Sequence, residues 1–274
     1  MTGSFKVRGA LNKVLCLQEW ERQKGLVTAS AGNHGQGVAL AGNLSHAQVI
    51  VFASDHAVPE KISAMQRLGA NVRLVPGGYG EAEATGIAYA SQTGSTWISP
   101  YNDGLIIAGQ GTLGLELLQD LATKPHLNWV VPAGGGGLVC GLGTVLHSGL
   151  QHPILTAVQS DASRFLHAIY HTGSQEGVVE SESLADGLAG PVEAGSVTIP
   201  MVKRYVDSFI LVNEGEIALA IAYAWRHYQE KIEGSAAVSL AAILSGKIEL
   251  RPAVVIITGG NIQPEAHTHI LATT

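Results

Sequence analysis

The chain has 274 residues and a net charge of −6, with a pI near 6.0, so nothing in its electrostatics calls for nucleic acid or an anionic membrane as partner. A composition that is 46% apolar and only 14% charged excludes disorder and supports a substantial core in one or two domains. Its two cysteines, Cys16 and Cys140, are too few for a disulfide framework or a zinc cluster and read as reduced thiols of a cytoplasmic protein.

Short apolar runs alternate with helical patterns along the whole chain. An amphipathic helix is predicted over 8–22, then a strand at Leu26–Ser30 and a helix over 33–43. The strand Gln48–Ala53 leads to a helix over 59–68, entered at Pro59, where a first turn tolerates proline. The strand Asn71–Val75, a helix over 80–92, the strand Thr96–Ser99 and a helix over 107–121 follow. Next come the strand Asn128–Val131, a helix over 138–148 and the strands Ile154–Gln159 and Ser208–Val212. Helices over 214–229 and 235–245 precede a last strand, Ala253–Thr258. Strands of this length between helices imply an α/β fold with parallel sheets covered on both faces. No repeat or long linker divides the chain, so a second domain must be an insertion. The βαβαβαβ stretch 26–99 is the candidate for a smaller inserted domain, and 1–25 with 100–274 form the larger one.

The stretch between Lys124 and Asp161 carries no Asp, Glu, Lys or Arg. A membrane span needs about 20 apolar residues, and Pro132 and Gly134–Gly137 break this one. It reads as buried strand, glycine loop and buried helix. No signal peptide is read at the start, because Lys6 and Arg8 lead into a mixed, amphipathic segment.

Four constellations carry chemistry. In Thr2-Gly3-Ser4-Phe5-Lys6-Val7-Arg8-Gly9-Ala10 a lysine stands just ahead of the first helix. Burial would lower its pKa and make it a nucleophile; a solvated first-turn lysine is the alternative. In Ser30-Ala31-Gly32-Asn33-His34-Gly35 small residues follow a strand and open a helix. Backbone N–H groups there can meet a carboxylate or phosphate, unless Asn33 is simply a helix cap. In Val131-Pro132-Ala133-Gly134-Gly135-Gly136-Gly137-Leu138 four glycines separate a buried strand from a helix. Each costs roughly 0.5–1 kcal/mol relative to Ala, a cost explained by backbone wrapped round a phosphate, though a plain loop is the alternative. In Ile257-Thr258-Gly259-Gly260-Asn261 a hydroxyl stands at the carboxyl end of the last strand, where α/β sheets bind ligands. By contrast, Gly109-x-Gly111-x-x-Gly114 fits a dinucleotide fingerprint only in spelling, because the next strand ends in Pro132-Ala133 with no acidic residue. His267-x-His269 is read as part of a polar tail that binds nothing.

In this order the four segments resemble the fold-type-II pyridoxal-phosphate enzymes of the threonine/serine dehydratase and serine racemase branch, from Thr2 to about Gln263. The resemblance implies the tryptophan synthase beta-like fold of two parallel-sheet domains. It implies Lys6 as the Schiff-base lysine and base at the substrate Cα, with Phe5 beside it. Asn33 would lie by the 3-hydroxyl of pyridoxal 5'-phosphate. Gly134, Gly135, Gly136, Gly137 and Leu138 would hold its phosphate, and Thr258 would face its pyridine nitrogen. Ser30, Ala31, Gly32, Asn33 and His34 would hold the substrate carboxylate. Asp186 and Gly187, in Ala185-Asp186-Gly187, and Glu233, in Ile232-Glu233-Gly234-Ser235, match further cofactor-site segments of the family.

The implied reaction is elimination from L-threonine or L-serine, giving the 2-oxo acid and ammonia. A related racemase or eliminase, or a truncated inactive cofactor-binding remnant, is the alternative. Serine racemases resemble this chain but place a serine, used as acid/base on the second face, where Ala31 stands; that departure favours elimination. Threonine synthases usually carry Asp where Val7 stands, and cysteine and tryptophan synthases spell the lysine and glycine segments differently. Some relatives bind a divalent cation through carboxylates at the positions of Gln159 and Phe165, so no metal is expected at that site. Relatives carry a further segment ahead of the lysine motif, so the larger domain is expected to be N-terminally incomplete. The chain ends soon after Asn261, so no C-terminal regulatory domain is expected. A homodimer is the usual state of such relatives.

Overall fold

The structure, a computed structural model, describes residues 2–121, 127–149, 153–249 and 252–274. It forms two compact units, Met1–Gln110 and Gly111–Thr274. Each holds one four-stranded parallel sheet, as an α/β fold of two parallel sheets requires.

In the first unit β1 (Leu26–Ala29) lies between β2 (Val49–Ser54) and β4 (Thr96–Trp97), and β3 (Asn71–Val75) flanks β2. Leu26, Val49 and Val51 pack with Ala10 and Val14 of α1 (Lys6–Cys16), Val38 of α3 (Asn33–Leu44) and Met65 of α4 (Pro59–Arg67). The alternate residues Val27, Ala29 and Phe52 pack with Ala82 and Ala90 of α5 (Tyr79–Thr93). β1 is therefore buried along its whole length, which is why it reads as an unbroken apolar run.

The helix predicted over 8–22 is two helices. The backbone turns extended at Leu17 and Gln18 and resumes as α2 (Glu19–Gln23). Gln18 caps α2: its N–H donates to Glu21 Oε2 at 2.7 Å, half of a reciprocal capping box. The division between the units falls inside α6 (Gly104–Leu121). Gly109, Gly111 and Gly114 all lie within that helix, so they form no strand-to-helix phosphate turn. Gly109 instead meets Gly9 and Arg8 of α1, and Gly111 meets the carbonyl of Gly141.

In the second unit β5 (Asn128–Pro132) lies between β6 (Ile154–Ser160) and β8 (Ala253–Val255), and β7 (Ser208–Val212) flanks β6. Val130, Val158 and Val212 pack against α10 (Glu214–Tyr228) and α11 (Gly234–Leu244) through Ile217, Ile221, Ala237 and Val238. The charge-free stretch becomes β5, α7 (Gly137–Gly149) and β6; Lys124 and residues 150–152 lie outside the described residues. No described helix is long and apolar enough to cross a membrane. Three further helices carry no prediction: α8 (Phe165–Thr172), α9 (Thr198–Tyr205) and α12 (Pro264–Thr273). The last of these corrects the reading of a polar tail. His267 is only 6% exposed, and its ring lies edge-on to Trp225 at 5.3 Å.

Candidate active site

In the first unit the lysine segment is helical two residues earlier than predicted, so Lys6 is the first residue of α1. Its Nζ donates to the carbonyl of Pro100 at 3.2 Å and lies 5.3 Å from the centre of the Phe5 ring. Two close helix contacts fix the backbone that carries it. A Cβ on Gly37 of α3 would lie 3.2 Å from the carbonyl of Lys6. A Cβ on Gly9 would lie 2.3 Å from Gln110 Nε2 and 2.9 Å from the carbonyl of Ile106. The Gly9 N–H donates to Gln110 Oε1 at 3.3 Å, and Gln110 is buried. α1 thus lies against both α3 and α6, with its lysine at the gripped end.

The Ser30–His34 turn leaves the carboxyl end of β1, and α3 begins at Asn33 with Gly32 as the residue before it. Ser30 Oγ accepts the Gly32 N–H at 3.0 Å, which closes the turn on itself. His34 is buried, and its Nε2 lies 3.1 Å from the carbonyl of Ile98, which also accepts the Thr28 hydroxyl. Burial, then the nearby Lys6 charge, push the His34 pKa down to about 3. A neutral imidazole bonded to a carbonyl must donate from Nε2, so Nδ1 is left as an acceptor. That Nδ1 is buried with no hydrogen-bond partner among the described residues, and so is Ser4 Oγ. Ala31 is exposed.

In the second unit the glycine segment leaves the carboxyl end of β5 and runs into α7. Gly136 has φ +93°, where L side chains are strained, and a Cβ there would also meet Thr198 at 3.0 Å. The Thr198 hydroxyl donates to the carbonyl of Gly135 at 2.8 Å and pins the turn from the outside. Gly137 and Leu138 open α7, so their N–H groups have no acceptor within the helix.

The other predicted positions of this unit ring the same strand ends. A Cβ on Gly134 would lie 3.0 Å from the Cα of Leu188, the last residue of a 3-10 turn at Asp186–Leu188. The Gly187 N–H donates to Ser235 Oγ at 2.9 Å. Glu233 caps α11, is buried, and donates its N–H to the carbonyl of Gly259. Thr258 is buried three residues past β8. The Ile256 N–H still bonds Val130, so the chain leaves the ladder between Ile256 and Thr258, short of the predicted strand end. Asp186 is exposed. Gln159 is fully buried, and its Oε1 accepts the His167 N–H.

The family model for "Pyridoxal-phosphate dependent enzyme" matches residues 1–259. The chain belongs to this family. It is 39% identical over 263 residues to the L-threonine ammonia-lyase of Thermotoga maritima, covering 95% of this chain and 65% of that protein. The chain therefore spans slightly less than two thirds of that relative's length. Among solved structures, the processed form of threonine deaminase isoform 2 from Solanum lycopersicum superposes with a TM-score of 0.90 at 30% identity. That match covers 100% of this chain and 80% of that one. Serine racemase from Dictyostelium discoideum superposes with a TM-score of 0.81 at 32% identity, over 96% of this chain and 84% of that one.

Both units offer groups that suit the family's cofactor. The turn at Gly134–Leu138 presents bare backbone and first-turn N–H groups, a donor set for a phosphate dianion. Lys6 supplies the primary amine an aldehyde needs. The sequence motifs miss three supports: Gln110 under Gly9, Thr198 under Gly135, and Glu214 described below.

Proposed function

We propose that this chain is a pyridoxal-phosphate-dependent ammonia-lyase that converts L-threonine, L-serine or both into the 2-oxo acid and ammonia. The observation that carries the reading is Lys6. It is a primary amine at the gripped head of a helix, beside a histidine held neutral, in a chain 39% identical to an L-threonine ammonia-lyase. The cofactor, when bound, supplies an electron sink for the Cα carbanion.

The protein's part follows from its own groups. Lys6, beside Phe5, would hold the cofactor covalently until the substrate amine takes its place, and its freed amine would then take the proton from the substrate Cα. The turn Ser30, Ala31, Gly32, Asn33 and His34 binds the substrate carboxylate through backbone N–H groups, with Asn33 beside the cofactor's 3-hydroxyl. A neutral His34 adds no positive charge next to Lys6, so it does not oppose protonation of that amine. Gly134, Gly135, Gly136, Gly137 and Leu138 hold the phosphate, and Asp186, Gly187 and Glu233 border it. Thr258 would offer a neutral hydroxyl to the pyridine nitrogen, a partner that does not require that nitrogen to be protonated. Delocalisation would then be modest, which would favour loss of the β-hydroxyl over reprotonation. We place the enzyme in the cytoplasm as a homodimer.

The test is to incubate the purified chain with pyridoxal phosphate and L-threonine and to measure 2-oxobutanoate and ammonia. Equal release of both supports the reading. D-threonine or D-serine without 2-oxo acid would establish a racemase instead. Cofactor that binds but is not trapped on Lys6 by borohydride, with no turnover, would establish a binding remnant.

A further inference from the structure

The glycine turn is held by a network that begins at Glu214, more than seventy residues away in sequence. Glu214 opens α10, next to its cap Asn213. Its Oε1 accepts the hydroxyls of Ser160 at 2.9 Å and Ser183 at 2.7 Å, and its Oε2 accepts the Leu184 N–H at 2.6 Å. Ser183 Oγ also accepts the Ala185 N–H at 3.0 Å. One carboxylate therefore ties the end of β6, the start of α10 and the segment 183–185 together. From there the chain enters the 3-10 turn, closed by the Leu188 N–H on the carbonyl of Ala185. A Cβ on Gly234 would lie 2.0 Å from the carbonyl of Leu184, so that segment is also pressed against the start of α11. Leu188 is the residue whose backbone meets Gly134.

We propose that Glu214 is a positioning residue: by fixing residues 183–188 it sets where the backbone of Gly134 can lie, and so sets the shape of the glycine turn. The proposal rests on the reading of Gly134–Leu138 as the phosphate cradle. A charged acceptor suits the task, because hydrogen bonds to an ionised group are stronger and shorter than neutral ones. Glu214→Gln keeps the size and one acceptor oxygen. With its N–H₂ group toward the Leu184 N–H, donor meets donor; with it toward the two hydroxyls, both must rotate to accept rather than donate, and in either case the charged acceptor is lost.

A matched control lies two residues along the same helix. Glu216 has the same charge, accepts the Asn213 N–H and pairs with Lys247, and none of its contacts touches 183–188. Four chains are compared: the parent, Glu214→Gln, Ser183→Ala and Glu216→Gln. Amide hydrogen exchange is followed by mass spectrometry without cofactor, and the dissociation constant for pyridoxal phosphate is then measured by fluorescence quenching.

Glu214→Gln should speed exchange at least about fivefold over both 183–189 and 133–139, and weaken cofactor binding about tenfold. Ser183→Ala should do the same to a lesser degree and serves if Glu214→Gln folds poorly. Glu216→Gln should change neither segment. Unchanged exchange over 133–139 in both Glu214→Gln and Ser183→Ala overturns the proposal, and so does an equal change in Glu216→Gln. Faster exchange in both segments with an unaltered dissociation constant keeps the positioning role and overturns the phosphate reading instead.

Discussion

The two sheets have the same order and opposite chemistry. In each, the first strand in sequence stands between the second and the fourth, with the third outside: β3-β2-β1-β4 and β7-β6-β5-β8. In each, the chain turns one way after the first strand and the other way later. The carboxyl end of that first strand is thus a switch point, where α/β sheets leave a crevice. Both switch points carry one of the motifs, Ser30–His34 after β1 and Gly134–Leu138 after β5. The first keeps side chains: Ser30 closes its own turn and His34 is a buried neutral imidazole. The second is bare backbone, shaped from outside by Thr198 and Leu188. The same topology therefore carries a turn with ordered side chains at one switch point and bare backbone at the other. Substitutions should separate the two.

The largest effect is expected at Lys6. Lys6→Ala removes the nucleophile and the proton carrier together, so formation of 2-oxobutanoate should fall by about 10³-fold or more. The cofactor dissociation constant should rise far less, because the glycine turn is untouched. Borohydride trapping followed by peptide mass spectrometry checks it. Label on any peptide without Lys6 would break the assignment.

Glycine substitutions sharpen the comparison next. Gly9→Ala forces a methyl against Gln110 and the carbonyl of Ile106; overpacking of this kind costs about 1–3 kcal/mol. Gly136→Ala places an L residue at φ +93°, a cost of about 1–2 kcal/mol, and adds a contact with Thr198. Urea unfolding should show both losses. Their functional signatures should differ: Gly9→Ala lowers turnover at saturating cofactor, whereas Gly136→Ala weakens cofactor binding. The same signature from both would show that the units do not divide the work in this way.

The pH dependence of stability separates the units again. The His34 pKa is lowered to about 3 in the folded chain, from an ordinary 6.5. At pH 7 both folded and unfolded forms are neutral there, and no stability is lost. Below 6.5 the unfolded chain takes up a proton that the folded chain refuses. Stability then falls by up to about 1.4 kcal/mol per pH unit until pH nears 3, or about 2 kcal/mol by pH 5. His34→Gln should remove most of that fall, read as the difference in urea midpoint between pH 7 and pH 5. His167, in the second unit, is lowered to about 4 by burial and by His171 and Arg164, but is more open to water. Its removal should flatten the curve less. Identical pH curves for parent and His34→Gln would mean that the folded chain protonates His34 freely.

Legibility followed the range of the interactions. Every predicted strand has its counterpart; β1, β5 and β6 are the plainest, because a strand buried on both faces must be an apolar run bounded by turn residues. Three of the four motifs, after β1, β5 and β8, are local turns at strand ends, which a sequence can show; the lysine segment instead opens α1. What failed is set by distant partners or by misread punctuation. α9 carries Pro200 in its first turn, where proline is compatible with a helix but reads as a break. α12 is amphipathic only once Trp225 covers His267. Gln110 and Glu214 look like ordinary surface polar residues in sequence, since their partners lie 101 and about 30–54 positions away. Glycines in α6 that spell a dinucleotide motif serve helix contacts instead.

On the proposed function, the smallest effect tests whether Ala31 sets elimination apart from racemisation. Ala31 stands in the side-chain-bearing turn and is exposed, so a serine hydroxyl fits there without repacking. A methyl group cannot carry a proton. On the proposed function, Ala31 would offer no proton to the face opposite Lys6, which would favour elimination. Ala31→Ser adds one general acid, a kind of group whose contribution in enzymes runs from about 10²- to 10⁴-fold when well placed. With L-serine as substrate, the ratio of D-serine to pyruvate should rise at least about tenfold, while total turnover changes little. Chiral chromatography of the product mixture measures it. A variant that turns over L-serine at the parent rate and forms no more D-serine would show that the second face is closed by something other than the missing hydroxyl. The side-chain turn after β1 would then bind the carboxylate without deciding the outcome.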